Sequence, residues 1–414
     1  MRIVFSKINF LFILLLTLVC CTQIACKKDG SSIPVITGVH LLDSTARDSM
    51  FTETIVGNRI VINGSGFDGL QNVYFNNYDA PFNSALNSSA NIIIVVPADA
   101  PTSATDPSVP NQIKVVTNHG EATFNFTLML PPPAVTGISN ENALPGSAIT
   151  ITGTNLYLDK VIFPGNIETA NFIVNDDKTQ ATVTVPADVS TGGPLTLQGP
   201  FGSSATPYSF DSYLAPSTGF MANFESDSPY FGWQWWGGIN SNDATRFPNN
   251  TGSYIEVHPS GSINAGDNSW YSDNRAVLVA EMPWVAQEDM SSPIASYALK
   301  FEINVKAPWT NGSFMIGPKI GNDFPYLARY APWESVSGGK FVTNGWTTVT
   351  IPLTAFLSIK DGAYNANGSP AANFAALTGG SNKTNLQIML YNDSTNPITS
   401  FDAAVDNVRI ARIQ

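Results

Sequence analysis

Charge is scarce in this chain of 414 residues. Asp, Glu, Lys and Arg make up 13% of it, against roughly 25% in an ordinary soluble domain. Among the few charges the acids prevail, 32 to 20, for a net charge of −12; such a surface repels a polyanion, which excludes nucleic acid as a partner. Cysteine is absent after Cys26, so the body of the chain has no disulfide scaffold, no thiol nucleophile and no thiolate metal site. The three histidines, His40, His119 and His258, are too scattered to form a zinc site together. No tryptophan precedes Trp233. Convincing helical periodicity is missing as well, and no segment after the first twenty residues is apolar for long enough to read as a membrane span.

What is present is glycine, 32 residues, and proline, 28 residues, punctuating short runs of alternating polarity. That pattern predicts an all-β protein, and the length predicts two or three domains. The N-terminus reads as an address. Arg2 and Lys7 flank the start, Ile8 to Val19 is an apolar run, and Ile24-Ala25 precedes Cys26. A run of about 12 apolar residues is too short to cross a bilayer. Residues 1–26 resemble a lipoprotein signal peptide, which implies that Cys26 is lipidated and becomes the mature N-terminus. Lys27-Lys28-Asp29 is similar to the charged run that follows the lipidated cysteine in surface-exported lipoproteins of polysaccharide-degrading Gram-negative bacteria.

The next 180 or so residues repeat themselves. Gly57-Asn58-Arg59-Ile60-Val61-Ile62-Asn63-Gly64 returns as Gly146-Ser147-Ala148-Ile149-Thr150-Ile151-Thr152-Gly153, and Val96-Pro97-Ala98-Asp99 returns at the same offset as Val185-Pro186-Ala187-Asp188. Both units open alike, with Pro34-Val35-Ile36-Thr37-Gly38-Val39 and Pro133-Ala134-Val135-Thr136-Gly137-Ile138. Alternation such as Ile60, Ile62 and Ile149, Ile151, with turn residues every 8 to 12 positions, predicts two small sandwiches. The motifs resemble the IPT/TIG family of immunoglobulin-like domains, at residues 33–130 and 131–212. Pro131-Pro132-Pro133 predicts a stiff extended link, and such modules imply spacers that hold the remainder away from a membrane.

From about Phe220 the composition changes, and all eight tryptophans fall between Trp233 and Trp346. Leu299 to Val305, Thr347 to Leu353, Asn385 to Leu390 and Ala404 to Ile410 read as strands, so residues 213–414 are predicted to form a two-sheet β-sandwich of jelly-roll type. Phe224-Glu225 at its start, Gly345-Trp346 before a late strand and a final Asp402 to Val408 strand resemble carbohydrate-binding jelly rolls. With the lipoprotein start and the tandem modules, the whole chain resembles the surface glycan-binding protein B group. That resemblance implies a non-catalytic lipoprotein on the outer membrane, facing outward. It would capture a xyloglucan or other β-glucan beside an outer-membrane glycan importer.

A sugar ring offers a flat C–H face that an aromatic ring can cover, whereas a lone tryptophan is ordinarily core. In Tyr230-Phe231-Gly232-Trp233-Gln234-Trp235-Trp236-Gly237-Gly238, strand alternation would send Trp233 and Trp235 one way and Trp236 the other, so at least one ring should face outward. Trp270 and Tyr271 stand among Asp267, Asn268, Asp273, Asn274 and Arg275, a context that argues for surface binding. The segment Tyr326 to Glu334, with Tyr330 and Trp333, reads as loop or edge strand, open to core and surface alike, and Trp309 as a loop platform. Trp346 reads as core, while Trp284 fits either role. The resemblance favours Trp235, Trp236, Trp270 and Tyr271 as the platform, with Trp233, Tyr230, Trp309, Tyr330 and Trp333 as further candidates.

Catalysis would need two carboxylates placed across a scissile bond. Glu225, Glu256, Glu281, Glu302 and Glu334 lie in no catalytic motif, and Glu302, on a regular strand, reads as solvent-facing. No cofactor is expected; Glu225 and Asp406 are either plain structural residues or ligands of a structural Ca²⁺. The alternative class is a surface adhesin or protein-interaction lipoprotein, since Trp and Tyr also anchor protein partners.

Overall fold

The computed structural model describes residues 32–42, 49–214, 216, 218–233 and 237–413. Cys26 and the rest of the N-terminal address lie outside the described residues. The chain divides into two compact units, Met1–Pro131 and Pro132–Gln414, and the division falls inside the Pro131-Pro132-Pro133 run.

Among the described residues, apart from short 3₁₀ turns and one helix of five residues, Phe374–Thr378, the ordered elements are strands. In the first unit, Arg59–Ser65 lies between Val35–Leu41 and Asn91–Val95, and a second sheet pairs Leu70–Phe75 with Gln112–Thr117. Ile60, Ile62, Val73, Phe75, Ile92 and Ile113 are fully buried between them. The second module repeats the plan. Ala148–Thr154 lies between Ala134–Ile138 and Gln180–Thr184, facing a sheet built on Lys160–Phe163, Gly193–Gly199 and Gly202–Phe210. In both modules the first strand is irregular at the same motif position, between Ile36 and Gly38 and between Val135 and Gly137.

The C-terminal sandwich stacks two antiparallel sheets. One has the order Ile239–Ser241, Tyr254–Val257, Ala403–Arg412, Tyr297–Val305, Thr347–Pro352, with Phe220–Ala222 also paired to Ala403–Arg412. The other has the order Ala276–Pro283, Lys383–Tyr391, Ser313–Lys319, Tyr326–Tyr330, Leu357–Ser358. Leu299, Phe301, Ile303 and Val305 from the first meet Phe314, Ile316, Leu386, Ile388 and Leu390 from the second. Trp284 is fully buried here, its indole N–H donating to the Thr384 carbonyl at 2.8 Å.

The second module and this sandwich belong to one unit, and a buried ionic network joins them. Arg409 donates to both Glu302 oxygens, at 2.9 and 3.0 Å, and to Glu141 at 2.7 Å. Lys300 pairs with Glu141 and stands over the Tyr208 ring. Asn142 and Thr348 also donate to Glu302, at 2.9 and 2.8 Å. The solvent-facing reading of Glu302 is therefore corrected: it is 2% exposed. Its strand does alternate, but the polar face carrying Lys300 and Glu302 is covered by the neighbouring module instead of water. Buried charges of this kind persist only when paired and fully hydrogen-bonded.

Candidate functional site

The sheet turned away from that junction presents its outer face. Along Lys383–Tyr391 the pleat sends Leu386, Ile388 and Leu390 into the core and Gln387, Met389 and Tyr391 outward. Met389 lies between Ala276 and Met315, and Gln387 between Leu278 and Gly317. Ala276, Leu278, Met315, Leu327 and Met389 form a second, smaller apolar cluster on this face, with Trp270, Phe324, Ile359, Tyr364 and Tyr391 half-buried against it. Five separate segments thus deliver apolar or aromatic side chains to one surface.

Trp270 holds the centre. Its ring meets Phe324 at 5.8 Å and Tyr271 at 6.0 Å, both edge to face, and Tyr271 itself is 65% exposed. The loop that carries them is fixed by Asp267, whose carboxylate accepts from the Ser269 N–H at 2.9 Å and from Arg275 at 2.8 Å. The Arg275 hydrogen bond, reinforced by Ser269, lowers the Asp267 carboxyl to about 2. Asp273, whose pKa the Ser260 hydrogen bonds lower, accepts from the Ser260 N–H at 2.9 Å and closes the other side of the loop. Asp273 and Asn274 take left-handed backbone at φ 59° and 54°, a conformation that Asp and Asn tolerate best among non-glycine residues.

Two polar groups under this surface are unspent. Gln387 is 1% exposed, and neither its amide nitrogen nor its oxygen has a hydrogen-bond partner; the buried Nε of Arg275 has none either. Buried polar groups are seldom left so, and the exceptions call for a reason. Beside Gln387 only glycine fits at Gly317, where a Cβ would stand 2.5 Å from the Tyr326 carbonyl oxygen.

The edge of the face is bordered by the tryptophan-rich segment. Trp233 bridges Val279, the Ala280 N–H donates to the Gly232 carbonyl at 2.7 Å, and Gly237 lies against Leu278, where a Cβ would come within 2.9 Å. Trp235 and Trp236 lie outside the described residues. Trp233 is half-buried and turned to the main core.

The remaining sequence candidates are elsewhere. Tyr230 packs edge to face on Phe220 at 5.4 Å, by the opposite sheet. Trp309, expected as a loop platform, is 1% exposed among Phe314, Phe401, Tyr330 and Phe341, and its N–H is taken up by the carbonyls of Asn311 and Gly312. The loop placement fits its sequence, but the ring folds back as a plug between the sheets and has no face to offer. Tyr330 turns inward onto Phe301 and Trp309, and Trp333, half-buried, donates to the Gly312 carbonyl at 2.8 Å. Trp346 is 7% exposed, as core. Among the described residues, no three His, Cys, Asp or Glu side chains gather in a way that could hold a metal ion.

Phe324, Tyr364, Tyr391 and Gln387 were not singled out by the sequence. Only the period-two alternation through Lys383–Tyr391 carried a trace of them, since it places Gln387 and Tyr391 on the face opposite Ile388. Chemically, the surface can cover flat C–H faces with aromatic rings, with the unpaired Gln387 amide and Arg275 Nε lying beneath them.

Comparison with known proteins bears on this same domain. Residues 215–412 match the family model of the surface glycan-binding protein B xyloglucan binding domain. An IPT/TIG domain-containing protein of Bacteroides ovatus is 30% identical over 200 residues, which are 45% of this chain and 41% of that protein. The chain therefore spans about two fifths of the length of the curated relative it matches. The crystal structure of the surface glycan-binding protein PbSGBP-B from Prevotella bryantii superimposes with a TM-score of 0.62 at 20% identity, over 93% of this chain and all of that one. That likeness is one of fold: tandem immunoglobulin-like modules followed by a C-terminal sandwich.

Proposed function

We propose, for a chain that belongs through its C-terminal domain to the surface glycan-binding protein B group, that it captures a neutral β-glucan such as xyloglucan without cleaving it. The outer face around Trp270 is the contact surface. The observation that carries this reading is the convergence of Trp270, Phe324, Tyr364 and Tyr391 on the face opposite the core, within the residues that match the family model. Solved relatives include one complexed with a xylogluco-oligosaccharide and one from Bacteroides ovatus complexed with a mixed-linkage heptasaccharide. Hydroxyl hydrogen bonds to protein replace those to water, so each site gains little net energy and binds with modest affinity.

In this reading a lipid on Cys26 anchors the protein to the outer membrane, the two modules hold the sandwich outward, and the captured glycan passes to an importer in the same membrane. No cofactor takes part. A Ca²⁺ at Glu225 and Asp406 would be structural only.

Calorimetric titration of the protein with xyloglucan, mixed-linkage β-glucan and an unrelated mannan tests the reading. Heat with a β-glucan that falls at least tenfold in affinity in Trp270→Ala, a loss of about 1.4 kcal/mol or more, is the expected result. Silence with every glycan from a folded protein would sink it and return the aromatic face to the adhesin alternative. Release of reducing ends would make the protein an enzyme. For the anchor, Cys26→Ala should move the protein from the membrane fraction to the soluble one.

A further inference from the structure

A second recess lies between the second module and the C-terminal sandwich, away from the aromatic face. Here Thr347 and the Thr348 N–H donate to the Ser139 carbonyl, both at 2.8 Å, and the Glu141 N–H donates to the Thr348 hydroxyl at 2.8 Å. Beside these bonds opens a cleft of about 760 Å³, within the range of ligand sites. Ser147 and Thr150 line it from one module, Asn249, Asn344 and Phe341 from the other, and Trp346 lies at its base.

The chemistry of the cleft is uniform. None of its lining residues is charged; about half are Asn, Ser and Thr and the rest are apolar or glycine. An ionic ligand would find nothing in the lining to pair its charge. The side chains of Asn249, Asn344, Ser147 and Thr150 make no hydrogen bond among the described residues, so their donors and acceptors stand free for hydroxyls. The walls are also braced. The Trp346 indole N–H donates to the Pro248 carbonyl at 3.1 Å, and the buried Glu141, Glu302 and Arg409 network fixes one module on the other. A site built on such supports needs little ordering when it binds.

We propose that this cleft is a second glycan-contact site, taking a short neutral oligosaccharide segment between Asn249, Asn344 and Thr150. The proposal rests on the reading that the chain binds neutral glycans, and it adds a contact that the aromatic face does not supply. Two contacts on one compact unit let a single polysaccharide long enough to wrap the sandwich engage both, so polymer binds more tightly than either site alone.

The test uses full-length protein labelled with 5-fluorotryptophan and carrying Trp270→Ala, titrated with cello- and xylogluco-oligosaccharides to about 10 mM, well above a millimolar dissociation constant. The Trp346 resonance, assigned through Trp346→Phe, shifts and saturates. Asn344→Tyr, which fills the cleft from one wall, abolishes that shift, as does Ser147→Tyr from the other. In otherwise native protein, Asn344→Tyr lowers the affinity for polysaccharide about tenfold or more. If Trp346 does not move while Asn344→Tyr protein still binds through Trp270 with native affinity, the cleft is no site and the aromatic face stands. A shift that survives both blocking substitutions is indirect and also overturns the proposal. No binding by native protein would remove the glycan reading itself.

Discussion

Gln387 concentrates the tension between stability and function at a single residue. It is buried on the outer face with both amide atoms unpaired, and such an orphan costs on the order of 1–3 kcal/mol against an apolar side chain of the same size. Gln387→Leu should therefore raise the unfolding free energy by about that amount, measured by urea denaturation. If the amide serves hydroxyl recognition when the surface rings move aside, the same variant should bind β-glucan roughly threefold to tenfold more weakly, the worth of one net hydrogen bond. A variant less stable than the native protein would show that the amide is satisfied in solution and would end the argument. Sequence reading could not reach this residue. Gln387 stands in Asn385-Leu386-Gln387-Ile388, where a polar residue at every second position ordinarily means water. Whether that face meets solvent, an aromatic layer or another domain is decided by chain segments more than twenty residues away, and Glu302 was misread for the same reason. That Trp270 is not fully buried was legible because its polar setting, Asp267 to Arg275, is local.

At the scale of elements, the repeated motif states its own physical cause. Gly64 and Gly153 close the two matching strands, and at each a Cβ would collide with the carbonyl oxygen facing it, that of Val35 or Ala134. The close approach occurs beside the strand irregularity at Ile36 and Gly38 and its counterpart at Val135 and Gly137. A glycine there admits the bulge and the close backbone packing. Gly153→Ala should cost about 1–3 kcal/mol, as overpacking does, read as a lower denaturation midpoint of the unit from residue 132 onward. Gly64→Ala should lower the transition of the first unit and leave the other in place; equal shifts of both transitions in either variant would contradict the assignment. These modules were legible because their signal is local and doubled. The aromatic face was legible only in part, since strand pairing gathers it from Trp270, Phe324, Tyr364 and Tyr391, which share no motif.

For the molecule as a whole, the junction decides how stability follows pH. Asp211 lies at the end of the second module, where its N–H donates to the Glu141 carbonyl at 2.6 Å. Burial, with some repulsion from Glu302, pushes its carboxyl up from 3.8 to about 6. A carboxyl raised on folding binds its proton more tightly in the native state. Its contribution to stability is therefore fully present below the unfolded value of 3.8 and is lost as pH rises through about 6. The fully buried Asp406, also raised by burial, acts in the same direction. Asp211→Asn removes the ionisation and retains a residue tolerant of the φ of 54° found there. At pH 8 the variant should exceed the native protein in stability by up to about 3 kcal/mol, the worth of the shift at 1.36 kcal/mol per unit, and the two should converge near pH 4. Thermal unfolding of both proteins at pH 4, 6 and 8 measures it. A constant difference across that range would mean that Asp211 does not titrate between 3.8 and 6, and that the junction is held by ion pairs insensitive to pH in this window. Convergence would mean that the joint between the second module and the C-terminal sandwich tightens on mild acidification while the aromatic face, whose Asp267 stays ionised down to about 2, keeps its geometry.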